Sequence, residues 1–163
     1  MKSRGLGLGR AFAACALLLV VACGSTAGDP VALRYSVEFP SRAAAVATDR
    51  VQIYAFEGRL DCSSLISSYG PPSSWATPPV SETSAVSPCQ LGNATLALPF
   101  GEYTLLAVGT AGTSELLIGC ANQTFNGKVE VLPVRLTIFD FARPIPPTDC
   151  TLADKCGGRS CGK

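Results

Sequence analysis

Residues 11–22 form a short apolar run that sets the conditions under which the rest of the chain folds. Lys2, Arg4 and Arg10 precede the run without any acidic residue, and Ala22 ends it. This order of a basic segment, a short apolar segment and a small residue is typical of a secretory signal peptide. As a helix the run would rise about 18 Å, well short of the roughly 30 Å of a bilayer's hydrocarbon core. We therefore predict a signal peptide over 1–22 rather than a transmembrane helix.

The end of this run, Val20-Val21-Ala22-Cys23, resembles the lipobox of bacterial lipoproteins. The resemblance implies that the Cys23 thiol is lipidated, that the signal is cut in front of it, and that the new amino group is acylated with a fatty acid such as palmitate. The lipid bilayer would then be a partner of the chain. By the same resemblance, Gly24 favours the outer membrane of the cell envelope, because an Asp at this position retains enterobacterial lipoproteins at the inner membrane. The alternative is an ordinary signal peptide followed by a chance cysteine.

The 141 residues after the predicted signal are enough for one domain with its own core. We assign 23–30 to the lipidated cysteine and a short tether, 31–140 to the domain, and 141–163 to a Cys-rich tail. Ten Lys and Arg residues remain against twelve acids, which gives a net charge of about −2. No basic patch is present, which argues against a nucleic-acid partner. The chain also has no histidine, the commonest general base and transition-metal ligand.

Six cysteines follow Cys23, and in an exported chain an even number predicts disulfides. The tail lacks the Cys-x2-Cys spacing of zinc ribbons, so we expect no metal and no other cofactor. Because half of the six lie in the last fourteen residues, full pairing requires an odd number of bridges between tail and body. The pairing itself stays open: a Cys62–Cys89 bridge would close the loop at 70–88, but Cys120 competes for either partner. The six are Cys62, Cys89, Cys120, Cys150, Cys156 and Cys161.

Alternating apolar residues predict short strands whose ends are marked by Gly or Pro, a pattern that suggests an antiparallel sandwich or barrel. We expect 41–48 to be a plain connection and 61–68 to form one or two helical turns with Asp61 as N-cap. From Gly70 to Pro88 the chain has five prolines and five serines, which predicts a long loop without regular elements. The predicted strands are 31–39, 49–58, 94–98, 103–109 and 115–120, followed by two strands or one bent strand over 128–139, with Pro133 at an edge or a break.

A pattern in the second half of the chain is similar to prealbumin-like, carboxypeptidase-regulatory-like modules, in particular the cysteine-bearing versions in lipoproteins of myxobacteria. It reads Leu96-x-Leu98-Pro99-x-Gly101-x-Tyr103-x-Leu105-x-Ala107, followed by Gly119-Cys120, Val129-x-Val131 and Leu136. The resemblance implies an all-β fold, a single antiparallel β-sandwich of the Ig-like or prealbumin-like kind. It also implies that Pro-x-Gly-x-Tyr is a tight turn into a core strand with the Tyr ring packed inside. It brings no catalytic residues.

Trp75 and Tyr69, in and beside the Pro/Ser loop, are the candidate partner contacts, because exposed aromatic rings are common anchors for ligands and proteins. The alternative is that Trp75 folds back over an apolar edge of the domain. Serines are frequent, but no histidine can activate one and the acidic residues are scattered singly. We therefore expect a non-catalytic envelope module that binds an envelope protein or a glycan, or has a structural role. The alternatives are a subunit that docks through the 70–88 loop and a hydrolase that uses a carboxylate.

Overall fold

The computed structural model describes residues 28–70, 74–127, 131–139 and 143–161. The predicted signal peptide, Cys23 and the first part of the tether lie outside these residues. Within the described ranges, no helix is long and apolar enough to cross a membrane. In chain order the elements are β1 (Val31–Glu38), α1 (Arg42–Ala47), β2 (Arg50–Glu57), α2 (Cys62–Ser67), β3 (Ser81–Glu82), a 3-10 helix (Pro88–Asn93), β4 (Thr95–Leu98), β5 (Gly101–Ala111), β6 (Ser114–Phe125), β7 (Val131–Arg135), β8 (Thr137–Ile138) and α3 (Leu152–Cys156).

The strands form two sheets, as the all-β prediction requires: one has the order β4-β1-β7 and the other β3-β2-β5-β6-β8. β1 is antiparallel to β4 but parallel to β7, so the prediction of a fully antiparallel arrangement is wrong at this pair. The parallel pairing arises because β6 ends at the end of the sheets where β1 begins. β7 therefore starts from that end and runs in the same direction as β1.

One apolar core draws its side chains from both sheets. In β1 the predicted alternation is confirmed, since Leu33 and Tyr35 are buried whereas Arg34 and Ser36 are exposed. Tyr103 packs inside the same core, and its hydroxyl donates a hydrogen bond of 3.0 Å to the Pro99 carbonyl oxygen. The main contributors are Leu33, Tyr35, Leu96, Leu98, Leu132 and Val134 from the first sheet, and Val51, Ile53, Leu105, Ala107 and Leu117 from the second.

The five-stranded sheet is also covered on its outer face. There Tyr54, Phe56 and three apolar residues of β5 and β6 form a second buried cluster, on which α2 and the loop containing Trp75 pack. The alternation in β2 pointed to one apolar face only. The aromatic residues on its other face are buried because the chain after β2 folds back over them, and this removes apolar surface from water on both sides of the sheet.

Two segments predicted to be irregular contain short elements. Residues 42–47 form α1, because the alanine-rich run favours helix and the Ser41 hydroxyl caps it by accepting from the Ala44 amide at 3.1 Å. Within the 70–88 loop, β3 pairs with Tyr54 and Ala55 at the edge of the second sheet. The backbone of this loop thereby satisfies hydrogen-bonding groups that β2 would otherwise leave unpaired.

Other predictions of local structure are confirmed. α2 begins after Asp61, whose carboxylate accepts from the Ser64 amide at 2.8 Å. The region after 128 contains two strands in different sheets, and Pro133 lies in β7, an edge strand of the three-stranded sheet. Residues 128–130 lie outside the described ranges, so the start of this predicted segment is not covered.

Three disulfides stabilise the fold: Cys62–Cys120, Cys89–Cys156 and Cys150–Cys161. One of them joins the tail to the body, in agreement with the odd number that the distribution of cysteines requires. Cys62 is bonded to Cys120 on β6 and not to Cys89, so the 70–88 loop is not closed by a bridge between its flanking cysteines. The first bridge instead ties α2 to the outer face of the five-stranded sheet.

Candidate binding surface

Trp75 lies over the outer face of the five-stranded sheet, half-buried against two rings of β2. Its ring meets Tyr54 edge-on, with centroids 4.8 Å apart, and is tilted against Phe56 at 5.3 Å. Edge-to-face aromatic pairs at such distances contribute beyond the area they bury. Trp75 therefore folds back onto the domain, as in the alternative given above. Part of its ring remains exposed at the surface.

The indole nitrogen of Trp75 is a buried donor that the described residues leave without a hydrogen-bond partner. An indole N–H removed from water without a new acceptor destabilises the folded state by about 1–3 kcal/mol. Such a donor is unusual in a protein interior and usually has a water or ligand acceptor.

Tyr69 extends the cluster by packing between two rings. Its centroid lies 6.0 Å from that of Trp75 and 5.7 Å from that of Phe139. Burial raises the pKa of Tyr69 to about 12, and the negative charge of Glu115 and the proximity of Tyr54 add to the shift. The Tyr69 hydroxyl therefore keeps its proton at physiological pH and can donate a hydrogen bond.

Two clefts flank this aromatic cluster. The cleft beside Tyr69 and Tyr54, which we call the tyrosine cleft, has a volume of about 240 Å³ and is rimmed by Arg50, Gln52 and Glu115. Its two charged side chains have opposite signs, so the cleft as a whole is close to neutral. Aromatic walls with a polar rim of no net charge suit a neutral ligand that has both a flat apolar face and hydroxyl groups.

The second cleft lies between Trp75 and α2 and has a volume of about 310 Å³. Asp61 and Ser64 line it, but both are used by the helix: the Ser64 hydroxyl donates to the Asp61 carboxylate at 2.6 Å. These hydrogen bonds hold the pKa of Asp61 below its ordinary value. A carboxylate that caps a helix and stays ionised is poorly suited to act as a general acid.

A third and larger cleft of about 820 Å³ lies between α1 and the C-terminal tail. Lys155 lines it, but its ammonium group donates to the carbonyl oxygens of Val46 and Thr48 at 2.7 Å each and lies 3.7 Å from the Asp49 carboxylate. The ammonium hydrogens of Lys155 are thus used in hydrogen bonds to the end of α1. Arg159 is paired with Asp154 at 3.5 Å, so this cleft offers less free positive charge than its composition indicates.

The described residues contain no group of three or more His, Cys, Asp or Glu side chains that could hold a metal ion. The six cysteines that follow Cys23 are all oxidised in pairs, so none of them offers a thiolate as nucleophile or ligand. The structure brings the rings of Trp75 and Tyr69 together, with their centroids 6.0 Å apart.

Tyr54, Gln52 and Glu115 are not among the site residues predicted from the sequence. A signal for Tyr54 was present in β2, where Val51 and Ile53 alternate with Gln52 and Tyr54 and every residue from Ile53 to Phe56 is apolar or aromatic. Such a run indicates a strand covered on both faces. No family model, no curated protein and no solved structure matches this chain.

Proposed function

We propose that this chain is a lipid-anchored protein of the bacterial cell envelope with a non-catalytic binding domain, and that its lipid is carried by Cys23. The observation that carries the anchor is the order of basic residues, apolar run, Ala22 and Cys23 in the sequence. Three disulfides are consistent with an exported protein, because such bridges persist in oxidising compartments. Because Gly24 rather than an Asp follows Cys23, the resemblance to bacterial lipoproteins favours the outer membrane as the proposed location.

The finer fold that we propose is a single β-sandwich of the prealbumin-like kind. It is supported by the core shared between the two sheets and by the turn at Pro99, through which the chain passes from β4 of one sheet to β5 of the other. Such modules act mainly as structural or binding units. The resemblance to the cysteine-bearing lipoprotein versions therefore favours a domain that presents a surface over one that performs a reaction.

The tyrosine cleft is the proposed binding site, and an uncharged envelope glycan is the ligand class it suits best. A sugar ring has an apolar face that stacks on aromatic rings and hydroxyl groups that pair with polar side chains. Tyr69 supplies a ring and a hydroxyl donor, and Gln52 supplies an amide at the rim. The opposite charges of Arg50 and Glu115 give no preference for an anion or a cation.

A second candidate function is docking of an envelope protein on the 70–88 loop. Its support is Val80, which is 53% exposed beside the two-residue edge strand β3. An exposed apolar side chain next to a short edge strand is a site where a partner strand can add to the sheet. Cross-linking in intact cells, followed by mass spectrometry of peptides from this loop, distinguishes this partner from a glycan.

The anchor is tested with Cys23→Ser in the producing bacterium. We expect incorporation of labelled fatty acid to disappear and the chain to remain unprocessed or to be released from the membrane. Cys15→Ser is the matched control, because Cys15 lies inside the predicted signal and should leave labelling unchanged. Labelling that persists in the Cys23→Ser protein would contradict the proposed anchor.

The binding site is tested by titrating the purified protein with soluble oligosaccharides from the bacterium's envelope while Trp75 fluorescence is recorded. We expect Gln52→Ala to weaken binding about tenfold, the effect of one lost hydrogen bond of about 1.4 kcal/mol. Gln90→Ala is the control, because Gln90 is exposed and lines none of the three clefts. Binding that both variants weaken equally, or no binding by the parent protein, would contradict the glycan assignment.

A further inference from the structure

Phe100 is the most exposed of the large apolar side chains in the described residues, with 60% of its surface open to solvent. It lies in the turn between β4 and β5, where its ring packs at 5.0 Å from the buried ring of Phe125. The turn is held by the hydrogen bond from the Tyr103 hydroxyl to the Pro99 carbonyl oxygen. Phe100 therefore projects from a fixed turn rather than from a loose loop.

This turn lies at the end of the domain where the chain enters from Cys23. β1 begins at Val31, which pairs with Leu98 of β4. Phe100 follows Leu98 by two residues and therefore lies near the start of β1. Val31 is itself exposed to 43%. The five residue steps from Cys23 to Gly28 span at most about 18 Å. An acyl chain on Cys23 would thus hold this end of the domain close to the membrane surface.

The charged side chains described at this end of the domain allow contact with a neutral lipid surface. Arg59 and Glu102 form an exposed ion pair of 3.1 Å, which cancels their net charge. Asp29 and Glu57 are exposed acids at the same end. An anionic lipid surface would be repelled, whereas insertion of an aromatic ring between zwitterionic headgroups is compatible with this distribution.

We infer that Phe100 inserts into the interfacial layer of the bilayer to which Cys23 is attached, so that the turn between β4 and β5 is a second, non-covalent membrane contact. This inference rests on the proposed lipid anchor and adds an orientation to it. β5 runs from this turn to Ala111 at the other end of the domain, about 33 Å away for ten steps of extended chain. Thr110 and Glu115, which line the tyrosine cleft, would then face away from the membrane.

Oxidation by hydroxyl radicals tests this contact in the native protein, with its acylation verified by mass spectrometry and the chain reconstituted on phosphatidylcholine vesicles. Phe139 is the internal reference: it is 36% exposed, and its amide donates to the Leu116 carbonyl oxygen near the distal end of β6. Exposure alone makes Phe100 the faster of the two to react. We expect the bilayer to reverse this order, so that Phe100 is oxidised more slowly than Phe139.

Quenching by brominated lipids gives an independent readout with Phe100→Trp in a Trp75→Phe background. Phe139→Trp in the same background is the matched control, and we expect strong quenching only of the indole at position 100. An acylated protein in which Phe100 stays the more rapidly oxidised, or in which the two indoles are quenched equally, would overturn the membrane contact and leave the anchor standing. Absence of an acyl group on Cys23 would overturn the proposed anchor instead, and the contact that rests on it.

Discussion

Cys89 is disulfide-bonded to Cys156 across 67 residues of sequence, and this bond attaches α3 of the tail to the 3-10 helix before β4. Lys155, which also belongs to α3, donates to the carbonyl oxygens at the end of α1. The tail is therefore fixed to the body by one covalent bond and by one cation that caps a neighbouring helix. The Cys150–Cys161 bridge, by contrast, lies entirely within the tail.

The first prediction concerns these two bridges. Replacing both Cys89 and Cys156 by Ala should lower the free energy of unfolding by about 4 kcal/mol, because the bridge closes a long loop in the unfolded chain. The corresponding replacement of Cys150 and Cys161, with a separation of only 11 residues, should lower it by about 3 kcal/mol. Chemical denaturation of the two double variants measures the difference.

Limited proteolysis distinguishes the structural roles of the same bridges. Without Cys89–Cys156, cleavage between the body and α3 should become much faster, whereas without Cys150–Cys161 the docked α3 should stay protected. Equal protection of the tail in both variants would contradict the conclusion that Cys89–Cys156 is its main attachment.

The second prediction concerns Trp75. Trp75→Ala should destabilise the protein by about 2–3 kcal/mol, less than the 3–5 kcal/mol typical of fully buried Trp, because the ring is only half-buried. Trp75→Phe is the control: it keeps a ring against Tyr54 and removes the unpaired indole N–H, so its stability should stay within about 1 kcal/mol of the parent. Thermal unfolding followed by circular dichroism measures both, and an unchanged stability of Trp75→Ala would contradict the packing role.

Strands such as β1 were predictable because they carry the period-two pattern in their own residues, as Leu33 and Tyr35 show. The helix over 61–68 was predictable for the same reason, since Asp61 is a local cap. The residues of a strand do not by themselves specify which strand it pairs with or in which direction. Nothing in the residues of β7 distinguishes parallel pairing with β1 from antiparallel pairing, because the direction follows from where β6 ends.

The candidate site was predictable only in part. Trp75 and Tyr69 were predictable as candidates because they are aromatic residues in and beside a polar loop, and the structure brings them together. The tyrosine cleft needs Gln52 and Glu115 as well, which come from β2 and β6 and approach Tyr69 only after the loop has folded back. Likewise, parity of the cysteines required a bridge from the tail to the body, but the choice of Cys89 as its partner depends on how close α3 lies to the 3-10 helix.

The third prediction concerns pH and the cap of α3. The Asp154 carboxylate accepts hydrogen bonds from the amide and the hydroxyl of Thr151, at 2.8 and 2.7 Å. These bonds, with a smaller effect from Arg159, lower the pKa of Asp154 below its ordinary value of 3.8. Because the folded state binds this proton less readily than the unfolded state, the stabilisation is complete above pH 3.8 and is lost as the pH falls through the lowered pKa.

Asp154→Asn tests this assignment, because it keeps the shape of the side chain and removes the titrating group. The difference in melting temperature between parent and variant should be constant at neutral pH and should shrink in the acid range below the ordinary carboxyl pKa. Thr151→Val, which removes the hydroxyl partner, should reduce the same pH dependence. A difference that stays constant down to the lowest pH would show that Asp154 does not contribute.

The last prediction concerns Gly119 of β6, where the chain segment joining β7 to β8 crosses from one sheet to the other. A Cβ atom at this position would overlap the carbonyl oxygen of Arg135 and lie 2.9 Å from its carbonyl carbon. Both atoms belong to the backbone and cannot move aside as a flexible side chain could. Gly119→Ala should therefore destabilise the protein by about 3 kcal/mol, the upper end of the range for overpacked cores.

Gly92→Ala is the matched control, because a Cβ at Gly92 has no heavy atom within 4 Å. Its effect on the unfolding free energy should lie within about 0.5 kcal/mol. Chemical denaturation of both variants measures the contrast, and hydrogen exchange should show the loss of protection in Gly119→Ala concentrated in β8 and the adjoining part of β6. Equal stability of the two variants would mean that the crossing segment is not held against β6, because only a close backbone approach makes Gly119 different from Gly92.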